Sequence, residues 1–172
     1  MIEAFRFRCD VCDEWHEGLP DLGFDAPLHY NQLSKRERET IATKSSDLCS
    51  INDEDYFVRG VIELPVQGGA DHFGIGAWVS LKEENFRRYV ALYEAADPSG
   101  DGPYFGWLCN RIAGYPDTLS LKTHLHLRPA PQRPSIELEP TDHPLALQQR
   151  RGITPAEIQA VIEHALHPDQ VP

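Results

Sequence analysis

Two cysteines and a histidine lie close together near the N-terminus, in the stretch CDVCDEWH at residues 9–16. Zinc favours tetrahedral thiolate and imidazole ligands, and two cysteines separated by two residues at a strand end can both reach one ion, about 2.3 Å from each sulfur. Cys9 and Cys12 have this spacing, His16 is the candidate third ligand, and Cys49 in SSDLCSI is the candidate fourth. The sequence therefore predicts a structural zinc site.

The same cysteine pair has two other interpretations. A redox pair needs a thiol of low pKa, which proteins place at a helix N-terminus or beside cationic groups. Asp10, Asp13 and Glu14 instead disfavour a further negative charge, and Gly18 and Pro20 disfavour a long following helix. Redox chemistry is therefore disfavoured, while two ordinary thiols at a strand end stay open as an alternative to zinc binding.

A second pair of histidines lies in KTHLHLR, residues 122–128. Histidines at this spacing share one face of a strand and can bind a metal or act as a general acid and base. A symmetric hairpin about the following PAPQRP would place His126 opposite Glu137 and His124 opposite Glu139. Opposite charges across two strands are ordinary sheet stabilisation, so the pattern favours a structural role.

Asp142 and His143 are adjacent in EPTDHPLA, just before a predicted short helix over residues 143–151. An acid beside an imidazole indicates catalysis only if both face a cleft. Capping of the helix by Thr141 or Asp142 explains the pattern better. Cys109, alone in an aromatic segment, is expected to be a buried small hydrophobic residue.

Length and charge limit the classes of protein to which the chain can belong. It has 172 residues, 41% of them hydrophobic, and a formal net charge of -11. We expect one domain over residues 1–172, with the C-x-x-C segment at about residues 1–20 as a subelement. An acidic surface repels nucleic acid and better fits a basic protein partner. Without a signal pattern or an apolar run of about 20 residues, we expect a soluble cytoplasmic protein that does not bind membranes.

The elements that must position these residues mix strands and helices without regular alternation. EAFRFRC alternates as a strand that ends at Cys9, and residues 56–66 and 72–81 form a hairpin rich in β-branched and aromatic residues. KTHLHLR and SIELE form a second hairpin about PAPQRP. The predicted class is α+β, a mostly antiparallel sheet with a few packed helices and an N-terminal strand end that resembles a zinc knuckle.

Local signals predict where three helices begin. Ser34 with Glu37 forms a capping box before a helix over about residues 35–44, and Ser80 with Glu83 forms a second before an apolar stripe of Phe86, Tyr89, Val90 and Tyr93. Thr154, Pro155 and Glu157 begin a helix with a stripe of Ile158, Val161, Ile162, Ala165 and Leu166. The glycines of GIG at residues 74–76 lie within a strand pattern, which indicates a close approach of another backbone rather than a nucleotide loop.

The order of several motifs resembles a known family. The motifs are SSDLCSI (45–51), YFVRGVIELPV (56–66), WVSLKEENF (78–86), PYFGWL (103–108), YPDTLSLKT (115–123) and IELEPTDHPLALQQRRGIT (136–154). Together they resemble the bacterial domain of unknown function 2199, from the cysteine pair nearly to the C-terminus. The resemblance implies a single whole-chain domain in the cytoplasm, and it supplies no catalytic residue.

Two functions are consistent with the sequence. In the first, zinc is structural and the acidic chain is a non-catalytic binding or interaction module. In the second, the chain is a metal-dependent hydrolase that uses an open zinc site or the group of His124, His126, Glu137, Asp142 and His143. The number of protein ligands separates them, because structural zinc has four and catalytic zinc keeps a position for water. We favour the first, and the sequence leaves open whether the chain is an enzyme.

Overall fold

The computed structural model describes residues 5–19, 22–69 and 71–171. Glu3 and Ala4, where the predicted first strand begins, and Pro20 lie outside the described residues. The strands within these ranges are β1 (Arg6–Arg8), β2 (Trp15–Glu17), β3 (Leu22–Gly23), β4 (Ala42–Lys44), β5 (Leu48–Ile51), β6 (Asp55–Pro65), β7 (His72–Leu81), β8 (Tyr104–Leu108), β9 (Lys122–His126) and β10 (Ser135–Leu138). The helices are α1 (Leu28–Asn31), α2 (Lys35–Thr40), α3 (Glu83–Leu92), α4 (Pro144–Arg151) and α5 (Pro155–Leu166).

Five strands close into a barrel. β6 pairs with β7, β7 with β8, β8 with β9 and β9 with β10, all antiparallel, and β10 then pairs with β6 in parallel. Five strands that alternate in direction leave the first and the last pointing the same way, so the closing pair must be parallel. β3 also joins β7 in parallel, and β5 and β4 extend the sheet from β6.

The predicted α+β class is confirmed, and both predicted hairpins form. The expected mostly antiparallel sheet is confirmed only in part, because the sheet closes on itself and contains two parallel pairs among the described strands. Gly60 permits the closure: a Cβ atom there would lie 2.8 Å from Ile136 Cγ1 and 2.9 Å from the Pro134 carbonyl oxygen. The close approach expected at GIG is also present, since a Cβ on Gly76 would lie 3.4 Å from Gly23 Cα.

Alternating residues of the barrel strands form the main core. The buried side chains include Ile62, Leu64, Phe73, Ile75, Leu125 and Leu138. α5 adds Ile158, Val161 and Ile162 to this core, whereas Leu166 at the end of its stripe is exposed. A second cluster contains Cys49, Ile51, Phe57, Trp78 and Cys109. The two clusters place the four cysteines of the chain in different surroundings.

One of the two predicted capping boxes forms, and the predicted start of the last helix is confirmed. Ser34 with Glu37 begins α2, which is shorter than expected because residues 42–44 enter β4. α5 begins after Thr154, which forms a further capping box with Glu157. The box at Ser80 is wrong, since Ser80 lies within β7 and α3 begins after Lys82 without a side-chain cap.

The stripe predicted for α3 is only partly buried. Tyr89 lies in the core, whereas Val90 and Tyr93 are exposed. Among the described residues, the helices lack the combination of length and apolar character that a membrane crossing requires.

Candidate metal centre

A tight turn follows β1 and presents the two N-terminal cysteines on one side. The backbone N–H of Cys9 donates to the Glu14 carbonyl oxygen at 2.8 Å, and the N–H of Asp13 donates to the Cys9 carbonyl oxygen at 3.0 Å. The N–H of Val11 lies 3.4 Å from Cys9 Sγ, a contact that stabilises negative charge on that sulfur. Local backbone hydrogen bonds therefore hold the turn on which Cys9 and Cys12 lie.

β2 returns the chain antiparallel to β1 and brings His16 to the cysteines. Phe7 pairs with His16 in this two-stranded sheet, and their rings stack with centroids 5.4 Å apart. His16 Nε2 lies 3.4 Å from Cys12 Sγ. The predicted first three ligands are thus brought together by one short hairpin.

The end of α5 brings in a histidine that the sequence analysis did not select, His167. The His167 N–H donates to the Glu163 carbonyl oxygen at 2.9 Å. The buried Glu163 carboxylate accepts from the Asp10 N–H at 2.8 Å, and the Gln159 amide donates to the Arg8 carbonyl oxygen at 3.1 Å. Hydrogen bonds from α5 to the N-terminal turn thus fix the place of His167.

Cys9, Cys12, His16 and His167 form what we call the metal cluster, in which one ligand atom from each residue lies within 4.8 Å of all the others. Bond lengths of 2.0–2.3 Å in a tetrahedral site place neighbouring ligand atoms about 3.3 to 3.8 Å apart, so only small movements would be needed. His167 Nε2 is buried and has no hydrogen-bond partner among the described residues. The cluster could therefore hold a metal ion.

The surroundings of Cys12 in this cluster disfavour ionisation of its thiol. The Glu14 backbone N–H lowers the pKa of the Cys12 thiol, but loss of solvent and the neighbouring Cys9 sulfur together outweigh it, and the pKa of Cys12 is raised. A bound cation reverses this balance, because it favours the thiolate forms of both sulfurs. The arrangement is suited to a cation rather than to a free reactive thiolate.

Cys49, the expected fourth ligand, is not brought to this cluster. It lies in β5 opposite Phe57, within the second core cluster that also contains Cys109. Burial raises the pKa of the Cys49 thiol to about 11, and burial likewise raises that of Cys109 to about 11. His167 replaces Cys49 in the group, and no spacing rule could have selected a histidine so far along the chain.

The second histidine pair belongs to what we call the polar ladder: His124, His126, Glu137 and Glu139. Ser135 is opposite His126 and Glu137 is opposite His124, so the register differs by two residues from the symmetric hairpin that we expected. The expected partners nevertheless meet diagonally, with His124 Nε2 3.1 Å from Glu139 and His126 Nε2 3.4 Å from Glu137. The Nε2 atom of each imidazole in the polar ladder is therefore already paired with a carboxylate.

His143 caps α4 and does not join these histidines. Its Nδ1 accepts from the Leu145 N–H at 3.2 Å, so Nε2 carries the proton and donates to the Pro116 carbonyl oxygen at 3.2 Å. The cap is thus His143 itself rather than Thr141 or Asp142, since Thr141 accepts from the His143 N–H. Within the described ranges, the metal cluster is the one group of three or more potential ligands close enough to share an ion.

Comparison with known proteins gives a family and nothing more specific. The model of a family described as an uncharacterized protein conserved in bacteria (DUF2199) matches residues 8–153. Neither the curated proteins nor the solved structures provide a match. The matched range includes Cys9, Cys12 and His16, whereas His167 lies beyond it.

Proposed function

The chain belongs to the DUF2199 family of uncharacterized proteins conserved in bacteria, and on that premise we propose that its metal cluster is a structural zinc site in a non-catalytic binding module. The observation that carries the proposal is the mutual proximity of four ligand atoms, all within 4.8 Å of one another. Two thiols with two imidazoles suit zinc, whereas magnesium and calcium prefer oxygen ligands. The buried Nε2 of His167, which has no hydrogen-bond partner in residues 5–19, 22–69 and 71–171, adds support.

A structural role is favoured over a catalytic one by the number of protein ligands. Catalytic zinc sites have three protein ligands and keep the fourth position for water or substrate, whereas structural sites have four. The metal cluster supplies four. The group proposed for the alternative hydrolase receives less support, because the imidazoles of the polar ladder are paired with carboxylates and both nitrogens of His143 are engaged.

The site would join the two ends of the chain. Cys9, Cys12 and His16 come from the N-terminal hairpin, and His167 comes from the end of α5. Zinc supplies a cation that stabilises the two thiolates and links metal binding to folding. The Glu163 carboxylate already holds the turn against α5 through the Asp10 N–H. This linkage supports the proposal that residues 1–172 form one domain.

The net charge of the chain and its free cysteines support the proposal of a cytoplasmic module that binds a protein partner. The net charge of -11 favours a basic protein partner and disfavours nucleic acid. The four free cysteines suit a reducing cytoplasm. Trp15, exposed next to the metal cluster and stacked under the Arg6 guanidinium at 4.4 Å, gives the hairpin an aromatic surface that can contact such a partner.

Elemental mass spectrometry of the purified full-length chain tests the zinc site. The wild-type protein should contain one zinc per chain, and Cys9→Ser and Cys12→Ser should contain none. Cys49→Ala and Cys109→Ala are the matched controls and should keep the zinc, because both thiols lie in the second core cluster. Cobalt substitution should give the absorption of a tetrahedral ion with two thiolate ligands.

Two outcomes would reject the proposal. Full zinc occupancy in both N-terminal variants would place the metal elsewhere. A hydrolytic activity that appears in a substrate screen and disappears on removal of zinc would replace the structural role with a catalytic one.

A further inference from the structure

A pocket of about 660 Å³ lies away from the metal cluster, between the end of α3, the turn that joins β9 to β10, and Asp47. Binding sites for small molecules are usually concave, have volumes of about 300 to 1,000 Å³, and combine apolar walls with a few convergent polar groups. Leu92, Leu127, Pro98 and Pro131 form apolar parts of this wall. The size and the lining therefore fit a small organic molecule.

Tyr89 supplies an unpartnered polar group to this pocket. Only 7% of the residue is exposed, yet its hydroxyl makes no hydrogen bond within the described part of the chain. The hydroxyl is accessible from the pocket, so a molecule bound there can reach it. Burial raises the pKa of Tyr89 well above its usual range, so the hydroxyl stays protonated and can donate a hydrogen bond. A ligand with an acceptor atom would supply the partner.

Two arginines and one aspartate line the pocket, so guanidinium donors face it in an acidic protein. Arg133 Nε donates to Asp47 Oδ1 at 2.7 Å, which leaves the two terminal nitrogens of Arg133 without hydrogen bonds to the described residues. Arg128 is held more firmly, by Glu63 at 2.7 Å and by the Arg133 carbonyl oxygen at 2.7 Å. Arg133 is therefore the guanidinium with donors to spare for an anion.

We propose that this pocket binds a small organic carboxylate, with its apolar body against Leu92 and Leu127 and its carboxylate hydrogen-bonded by the Tyr89 hydroxyl and the Arg133 guanidinium. Guanidinium donors match the two oxygens of a carboxylate in geometry and in charge. The Asp47 carboxylate, which shares Arg133, opposes the ligand by repulsion and by competition for the same donors. The site does not depend on the metal cluster.

NMR titration of the zinc-loaded, ¹⁵N-labelled full chain tests this proposal with phenylacetate and its neutral counterpart phenylacetamide. Phenylacetate should shift the side-chain Nε signal of Arg133 and backbone signals at the end of α3, with a Kd of about 1 mM, as expected for so small a ligand. Phenylacetamide should bind at least about fivefold more weakly, because it lacks the charge that strengthens the hydrogen bonds.

Three variants make the assignment specific. Arg133→Gln and Tyr89→Phe should each weaken phenylacetate binding about fivefold, because each removes a donor to the carboxylate. Asp47→Asn should strengthen it, because the competing charge is lost while the amide oxygen can still accept from Ser46. Arg87→Gln is the control, since Arg87 pairs with Glu83 on the exposed side of α3 and does not line the pocket.

A second pair of probes distinguishes a free acid from the end of a peptide. If the carboxylate is a peptide terminus, N-acetyl-glycyl-phenylalanine should bind more tightly than phenylacetate, and its C-terminal amide should not bind. Equal binding of acid and amide in both pairs would overturn the proposal. So would unchanged binding in a folded Arg133→Gln variant, or the lack of any shift by phenylacetate up to about 10 mM.

Discussion

The metal cluster and the polar ladder each contain two histidines, but the hydrogen bonds available to these imidazoles differ. In the polar ladder, His124 and His126 each meet a glutamate, at 3.1 Å and 3.4 Å. In the metal cluster, His16 meets a thiol at 3.4 Å, and the buried His167 Nε2 has no hydrogen-bond partner in the part of the chain that the structure describes. A ring nitrogen of each histidine is thus paired with a hydrogen-bond partner in the polar ladder, whereas in the metal cluster a ring nitrogen remains available as a donor or acceptor.

This difference separates a histidine with a structural role from a candidate metal ligand. A buried nitrogen without a partner carries a desolvation penalty of about 1 to 3 kcal/mol, which a metal ion at the site would remove. An imidazole paired with a carboxylate on a half-exposed strand face has no such penalty. Whether the surrounding groups leave the ring nitrogen satisfied is therefore more informative than the presence or spacing of the histidines.

Removal of the metal should have the largest effect on stability, and it would sharpen this comparison. Chelation should lower the melting temperature by about 10 °C, equivalent to about 3 kcal/mol or more, because zinc binding is linked to folding. Hydrogen exchange should then increase in β1, β2 and the end of α5 but not in β9. The chelator should leave the melting temperature of Cys9→Ser unchanged, and an unchanged wild-type melting temperature after complete zinc loss would contradict a structural role.

Substitution of the fourth ligand comes next. His167→Ala should weaken zinc binding about 100-fold or more, which corresponds to about 3 kcal/mol, because it leaves three protein ligands. A competition titration against a chelator of known affinity measures the change. His164→Ala is the control on the same helix, since His164 Nδ1 contacts the Ala160 carbonyl oxygen and is not part of the cluster. Equal zinc affinity in the two variants would remove His167 from the site.

A smaller effect on stability is expected at low pH from Glu157, which lies at the start of α5. Hydrogen bonding by Arg151, assisted by the Thr154 N–H, lowers the pKa of Glu157 from 4.5 to about 2. A carboxylate whose pKa is lowered by folding stabilises the folded state above its unfolded pKa, and that stability is lost as the pH falls from about 4.5 towards about 2.

Glu157→Gln should therefore flatten the decline of the melting temperature over this pH range. The measurement belongs in the Cys9→Ser background, where protonation of the metal ligands cannot contribute. An unaltered decline would show that Glu157 is not the titrating group. At neutral pH, and with Cys9 intact, Glu157→Gln should keep its zinc, which would distinguish the two ends of the helix.

The smallest effect is expected in the polar ladder. The double variant His124→Gln, His126→Gln should fold, keep its zinc, and change its melting temperature by less than about 3 °C, because partly exposed cross-strand pairs contribute about 1 kcal/mol or less. Loss of zinc in this variant would contradict the comparison, and so would a decrease in melting temperature as large as that caused by chelation. Either result would indicate that the polar ladder is a functional centre.

Patterns of local origin were predicted well. The strand patterns of β6 and β7, the alternation along β9, the capping box of α2 and the start of α5 all depend on neighbours within a few residues. The box at Ser80 failed although its local pattern was equally good, because Ser80 belongs to the end of a long strand that is paired on both sides. Strand pairing across the barrel there overrides a local helix signal.

The residues of the candidate site also divide into those that local spacing predicts and those that depend on the tertiary structure. Cys9, Cys12 and His16 follow from spacing, because one turn and the pairing of β1 with β2 place them together. Cys49 seemed equally available in the sequence, but its position opposite Phe57 in β5 places the thiol in a separate core cluster. His167 carries no local signal beyond its place after the last apolar turn of α5.

The sequence by itself determined the strands β1, β6, β7, β9 and β10, the starts of α2 and α5, the partners in the polar ladder and three residues of the metal cluster, since each depends on backbone geometry over a short stretch. Only the tertiary structure decided the parallel closure of β10 on β6, the register of β9 with β10, and the recruitment of His167. These features join residues distant in the chain, and their energies come from packing and hydrogen bonds that exist only after the barrel closes and α5 lies against the N-terminal turn.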